Sequence, residues 1–320
     1  MKLNMMYSFL NADINLIEKK LEETIQAESL LLRQASLHTL QAGGKRIRPV
    51  FVLLAGKFGN YDINVIKNVA VALELIHMAS LVHDDVIDDA DLRRGKPTIK
   101  SKWDNRIAMY TGDYIFALSL EMMTNIKNPL AHKILANTIV EVCIGEIQQI
   151  KDKYRFDQNL RDYLRRIKRK TAILIAASCQ LGAIASDVDA QLHKKLYQFG
   201  YYVGMSFQII DDILDFTGTE KELGKPAGSD LLQGNVTLPV LYAKKNDYIR
   251  QELEKVNEQT NAEELKAIIG LIKQSDAIEQ SIALSDRYLE KAFAILDELP
   301  ANRAKKTLRD IAKFIGNRKF

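Results

Sequence analysis

Read only for hydrophobic and polar positions, the chain is a succession of 3.6-residue apolar periodicities separated by turn residues. The spacing predicts helices over 12–27, 30–42, 49–58, 64–91, 103–126, 129–153, 159–186 and 189–216. Further helices are predicted over 237–246, 248–256, 262–273, 276–297 and 301–316. Breaks fall at Gly43-Gly44, Gly59-Asn60, Lys96-Pro97, Asn128-Pro129, the stretch from Gly218 to Gly234, and Pro300. No segment alternates long enough to form a convincing strand. The pattern therefore predicts an all-α fold. No Ser/Gly-rich linker or low-complexity stretch divides the chain, so one domain over residues 1–320 is expected.

Composition supports this reading. Apolar residues are 47% of the chain, enough for a large core, while 16 Gly and 6 Pro fall below average usage and favour long helices. A formal charge of +4 is too mild to argue for nucleic acid, and no known nucleic-acid module appears. Cys143 and Cys179 lie in apolar helical context without metal spacing, and read as core thiols of a reducing compartment. The first residues lead to Asp13, Glu18 and Lys19 without an apolar signal region. The run Ala172 to Ala185 is too short and too polar to span a bilayer. A cytoplasmic location is expected.

Chemistry gathers where the long helix predicted over 64–91 ends. The stretch Leu81-Val82-His83-Asp84-Asp85-Val86-Ile87-Asp88 continues into Asp89-Ala90-Asp91-Leu92-Arg93-Arg94-Gly95. Asp84 and Asp88 are four apart and share a helix face. That spacing is repulsive without a cation. With a hard divalent ion it becomes a clamp, since Mg²⁺ is usually held by one or two carboxylates plus substrate phosphates. Arg93 and Arg94 add forks suited to phosphate oxygens. One such motif is equally readable as a solvated acidic helix end. The same D-D-x-x-D returns at Asp211-Asp212-Ile213-Leu214-Asp215, again after an apolar helical run. Two copies in matching contexts point to two acidic helix ends facing one cavity.

Other stretches carry weaker signals. In Gly43-Gly44-Lys45-Arg46-Ile47-Arg48-Pro49, paired glycines allow close approach of an anion to the backbone, and three cations surround them. Taken alone it is a basic helix–helix turn, and it lacks P-loop spacing. His77 lies seven before Asp84 on nearly the same face, where a lone His is commonly a core residue. The basic run from Arg161 reads as a solvated face, except that Lys170-Thr171 directly precedes a buried helix and could grip a phosphate. Gln208, three before Asp211, shares its face, and Phe207 reads as core. Gly218 to Gly234 is the one long irregular segment, a candidate lid containing Lys225 and Asp230.

Jointly, from roughly Gly43 to Pro239, these motifs and their order resemble the trans-polyprenyl diphosphate synthase family. The resemblance implies a single large helical bundle of the isoprenoid synthase type with a central substrate cavity. It implies condensation of an allylic diphosphate with isopentenyl diphosphate, with Mg²⁺ as cofactor. Carried over, Asp84, Asp85, Asp88, Asp211, Asp212 and Lys170 are catalytic, and Asp84, Asp88, Asp211 and Asp215 are metal ligands. Lys45, Arg48, His77, Arg93, Arg94, Lys170, Thr171, Gln208 and Lys225 bind substrate, while Arg46 points elsewhere and His83 is structural. The family often has Gly-Lys before x-Thr-Leu-Pro, but here Gly234 is followed by Asn235, so a cation role there is absent or moved. Ala79 and Ser80, then Ile76, would line the path of the growing chain. Their small size at the first two positions implies a medium or long all-trans product, specifically a heptaprenyl chain of the kind that feeds menaquinone side chains. A homodimer, or a heteromer with a small non-catalytic subunit, is expected, with no nucleic acid and with transient membrane contact for product release. The alternatives are a class I terpene cyclase, which needs no isopentenyl diphosphate site, and a non-catalytic binding subunit of a heteromeric synthase.

Overall fold

The structure, a computed structural model, describes residues 3–219 and 227–317. It is all-α as the periodicity predicts, apart from one very short hairpin. In chain order come α1 (Leu3–Met6), α2 (Asn11–Thr24), α3 (Leu30–Gln41), α4 (Ile47–Gly56) and α5 (Ile63–Ile87). The hairpin β1 (Leu92–Arg93) and β2 (Lys96–Pro97) follows, then α6 (Ile99–Lys102), α7 (Asn105–Met123) and α8 (Pro129–Asp152). Next are α9 (Leu160–Ile167), a π-helical turn (Lys168–Ala172), α10 (Ile173–Ile184) and α11 (Ala190–Thr217). The chain closes with α12 (Ser229–Leu232), α13 (Leu238–Ala243), α14 (Asp247–Leu253), α15 (Ala262–Gln274), α16 (Ala277–Asp297) and α17 (Arg303–Gly316).

The chain folds into two compact units. One gathers the chain up to Ala136 with Ala177–Tyr197 and Pro300–Leu308; the other gathers Asn137–Ala176, Gln198–Leu299 and the chain from Arg309. Each unit is made of interleaved chain segments, which is why no linker is visible in the sequence.

In the first unit α5 is the central element. Asp62 caps its start by accepting from the Asn64 amide at 2.9 Å. Val69 to Leu75 are buried around its whole circumference, against α7 above all and also α4 and α2. The helix is long and apolar enough to cross a membrane, but 67% of its most apolar window is buried inside the protein, as a core helix requires. In the second unit a core of α9, α11, α13 and α15 residues surrounds Tyr163, Met205, Phe216, Leu238 and Ile272.

Three local expectations are corrected. The helix predicted over 64–91 stops at Ile87, because Asp89 is left-handed at φ 51° and Ala90 turns its amide back to the Asp85 carbonyl at 2.9 Å. The helix predicted over 159–186 is broken in register by the π turn at Lys168–Ala172. Cys179 is buried as expected, but Cys143 is exposed on α8.

Candidate active site

In the first unit, the end of α5 sorts its acids by burial. Asp84 and Asp88 are partly exposed, while Asp85 is buried. Burial raises the Asp85 pKa, and the Arg93 guanidinium, with Nε 2.6 Å from Asp85 Oδ1, opposes that rise. Arg93 comes from the hairpin, whose two-residue loop Arg94-Gly95 has φ of 55° and 75°. Two left-handed central residues are what a type I′ turn requires, and such turns match the twist of the strands. Arg94 thus holds a conformation that a side chain disfavours, and such strain concentrates at functional sites.

The Gly-Gly turn meets this hairpin. A Cβ on Gly44 would lie 2.8 Å from Arg94 Nη1, so any side chain there would displace the guanidinium from its present position. Gly43 itself has φ 78°. Arg46 lines the edge of the same turn and is held there by the fold. It donates to Glu18 at 2.5 Å, to Glu74 at 3.0 Å and to the Leu40 carbonyl at 3.2 Å, tying the turn to α2 and α5. Arg48 keeps a buried Nε without a partner, and Glu74 a buried Oε2 without one. Burial lowers the Arg48 pKa to about 10 despite the nearby Glu74 charge. Burial also pushes His77 well below its usual range, helped by the charges of Arg48, Arg94, Arg93 and Arg46. His77 is therefore a neutral ring, able to donate or accept but not to add charge. His77, Arg93, Arg94, Gly43 and Glu74 line one cleft. Lys45 is exposed on the turn.

In the second unit, the π turn carries Lys170 and Thr171. Insertions of this kind recur at functional sites because they re-aim side chains without ending the helix. Two glycines let neighbouring helices close on it. A Cβ on Gly204 would lie 2.6 Å from Ala172 Cα, and one on Gly145 would lie 2.6 Å from Arg169 Cβ. Lys170 Nζ donates to Gln149 Oε1 at 2.9 Å and lies 3.7 Å from Glu146. Thr171 donates to Gln208 Oε1 at 2.6 Å, and Gln208 Nε2 donates to Asp212 Oδ1 at 2.8 Å. The Gln208 amide therefore spans the K-T pair and the second acidic motif.

Asp212 is buried and receives a second hydrogen bond, from Tyr163 Oη to Oδ2 at 2.7 Å. Burial first, then the Asp230 charge, push its carboxyl up to about 7, against the pull of Gln208 and Tyr163. Asp211 is partly exposed. The two motifs thus share a design: an accessible first acid beside a buried second acid held by side chains.

They differ at the third acid. Asp88 is partly exposed, but Asp215 is 2% exposed. Its Oδ1 accepts from Ser229 at 3.1 Å and its Oδ2 from the Asp230 amide at 3.2 Å. Asp215 anchors the start of α12 as well as standing in the motif. Lys225 lies outside the described residues.

Sequence reasoning missed Tyr163, which meets Asp212 across 49 positions, and Glu74, whose signal was an acid inside an otherwise apolar helix run. Among the described residues, no three His, Cys, Asp or Glu side chains gather into a ready-made metal cluster. Paired carboxylate oxygens without imidazole or thiolate suit a hard ion whose remaining ligands come from phosphate and water, and Mg²⁺ fits that donor set.

The sequence matches the family model described as polyprenyl synthetase over residues 29–272. It is 69% identical over 320 residues to heptaprenyl diphosphate synthase component 2 of Bacillus subtilis (strain 168), covering 100% of this chain and 92% of that protein. The fold resembles the crystal structure of heptaprenyl diphosphate synthase from Staphylococcus aureus, with TM-score 0.93, 47% identity, and 97% and 98% of the two chains covered. It also resembles a polyprenyl synthase from Caulobacter crescentus CB15 complexed with calcium and isoprenyl diphosphate, with TM-score 0.94, 30% identity, and 99% and 98% covered.

Proposed function

From the premise that this chain belongs to the polyprenyl synthetase family and is a trans-prenyltransferase, we propose that it is the catalytic component of a heptaprenyl diphosphate synthase. It adds isopentenyl diphosphate units successively to an allylic primer such as farnesyl diphosphate, and the all-trans product feeds menaquinone side chains. The observation that carries this reading is the repeated pairing of an accessible acid with a buried, side-chain-held neighbour: Asp84 with Asp85, and Asp211 with Asp212.

Asp84, Asp88 and Asp211 are the residues that would hold Mg²⁺ against the allylic diphosphate, with Asp215 supporting the second motif from its buried position. When bound, the ions supply Lewis-acid stabilisation of the charge that builds on the leaving diphosphate. Asp85 keeps Arg93 directed at that region. Lys170, Thr171 and Lys225 add donors on the allylic side, with Gln208 and Asp212 fixing Thr171. The guanidinium groups of Arg48 and Arg94 and the exposed Lys45 hold isopentenyl diphosphate, and the neutral ring of His77 adds a hydrogen bond. The apolar surface of α5 excludes water from the carbocation.

The small second subunit is proposed from the component naming of the B. subtilis relative. The reading is tested by sizing radiolabelled product made from farnesyl diphosphate and isopentenyl diphosphate with Mg²⁺, with and without that subunit. A heptaprenyl product is expected. Product formed from farnesyl diphosphate alone would instead identify a cyclase, and no turnover with any partner would identify a binding subunit.

A further inference from the structure

The hairpin that presents Arg93 and Arg94 is only two residues per strand, and an isolated ribbon of that size does not hold its own position. What fixes it lies on α3. The partner of His38 Nε2 is the Pro97 carbonyl oxygen at 2.8 Å, so that nitrogen carries the proton and donates. One turn later, Lys96 Nζ donates to the Gln41 carbonyl at 2.6 Å. Both tethers seize strand β2, directly behind the Arg94-Gly95 loop. The His38 ring is itself buttressed. It meets Trp103 edge-on, with centroids 5.7 Å apart and planes at 83°, and Trp103 packs on the buried cluster of Ala35, Val82, Ile99 and Ala108. His38 also lines the same cleft as His77, Arg93 and Arg94. The base of the hairpin is closed separately by Thr98, which donates to the Ala90 carbonyl at 2.8 Å.

The two arginines are not held alike. Arg93 has its own lock on Asp85. Arg94 sits in a left-handed turn, against a glycine that offers no side chain to grip it. Its placement depends on where β2 is held.

We infer that His38 is a positioning residue for isopentenyl diphosphate: by fastening β2 to α3 it sets the guanidinium of Arg94 against the Gly43-Gly44 turn. This rests on the isopentenyl diphosphate site proposed above. His38 acts through Arg94 and stays out of the allylic half of the reaction, because Arg93 is held independently.

The test is calorimetric titration of the full chain with isopentenyl diphosphate alone, and separately with farnesyl diphosphate and Mg²⁺. Neither titration requires turnover. Loss of one hydrogen bond that preorganises a charged contact corresponds to about a tenfold change in affinity. His38→Phe keeps the ring edge against Trp103 and removes the donor. It is expected to raise the Kd for isopentenyl diphosphate about tenfold, leaving farnesyl diphosphate unchanged. His38→Gln places an amide donor near the Nε2 position and is expected to restore most of the affinity. Lys96→Met, which removes the other tether and leaves the His38 site intact, is expected to weaken the same ligand. An unchanged Kd in folded His38→Phe, or equal weakening of both ligands, overturns the inference. If the unaltered chain binds farnesyl diphosphate but no isopentenyl diphosphate, the proposed site itself falls, and this inference with it.

Discussion

Arg93 Nε lies 2.6 Å from Asp85 Oδ1, and this contact makes the second acid of the first motif a partner of the protein rather than an open ligand. Asp85 is buried, so its charge is tolerated only because Arg93 neutralises it. The two residues should therefore behave as a unit. Asp85→Asn and Arg93→Gln are each expected to lower turnover, and the double variant to be little worse than the poorer single variant. Groups in one ion pair typically show coupling of about 0.5–3 kcal/mol in such a cycle. Losses that simply add would mean that each acts alone.

The first acids present the opposite case. Asp84 and Asp211 are partly exposed. Asp84→Ala or Asp211→Ala should cut condensation by at least ~10²–10³, the scale of losing one transition-state stabiliser. Helical content by circular dichroism should stay the same. Near-normal turnover in Mg²⁺ for either variant would sink the two-motif reading.

The sequence made most helices legible, because a 3.6-residue apolar period survives packing in either unit. Its failures have physical causes. The hairpin after α5 is too short to alternate, and its Arg94-Gly95 turn lacks the Asn-Gly pair that usually marks type I′. The π turn is invisible because Lys168 to Ala172 contains neither Gly nor Pro, and the added residue is tolerated only through close approach at Gly145 and Gly204. The acidic motifs stood out because carboxylates interrupt apolar helices. Tyr163 and Ser229, which hydrogen-bond Asp212 and Asp215, did not, since they carry no local signal.

His77 supplies a pH test. Burial and the surrounding Arg46, Arg48, Arg93 and Arg94 lower its pKa below the ordinary 6.5, with Glu74 the acid on the same helix face. Below that pH the unfolded chain binds a proton that the folded chain refuses. Stability from this group is therefore fully present above pH 6.5 and lost as pH falls, by at most about 1.4 kcal/mol per pH unit. Tm measured from pH 7.5 to 5.5 should fall less steeply in His77→Gln than in the unaltered chain. Parallel slopes would show that His77 protonates freely.

The π turn gives a prediction about one substrate. A Cβ at residue 204 would lie 2.6 Å from backbone at Ala172, so Gly204→Ala must push α11 or the turn aside. Overpacking of this kind typically costs about 1–3 kcal/mol. Because Lys170 and Thr171 ride on the turn, the KM for the allylic diphosphate should rise more than that for isopentenyl diphosphate. A lowered Tm with both KM values unchanged would make the turn purely architectural.

Product length offers a prediction about the wall of α5. Side chains lean toward a helix's N-terminus, so in the proposed mechanism residues one or two turns before Asp84 would line the path away from the diphosphate. Ala79 and Ile76 are buried, at 2% and 4% exposure. Ser80 turns its hydroxyl back to the His77 carbonyl at 2.9 Å, so it offers little polarity to a passing hydrocarbon. Ala79 and Ser80 are thus small at the point of the proposed path where an aromatic ring would act as a floor. Such small residues also let helices pack closely, and α5 packs extensively on α7. The two roles separate on enlargement. Ala79→Tyr should stop elongation near the farnesyl or geranylgeranyl stage while leaving the first condensation intact. Thin-layer sizing of the product, with circular dichroism to verify folding, decides the matter. A folded variant that still makes the full-length chain would place the path elsewhere and leave Ala79 a packing residue.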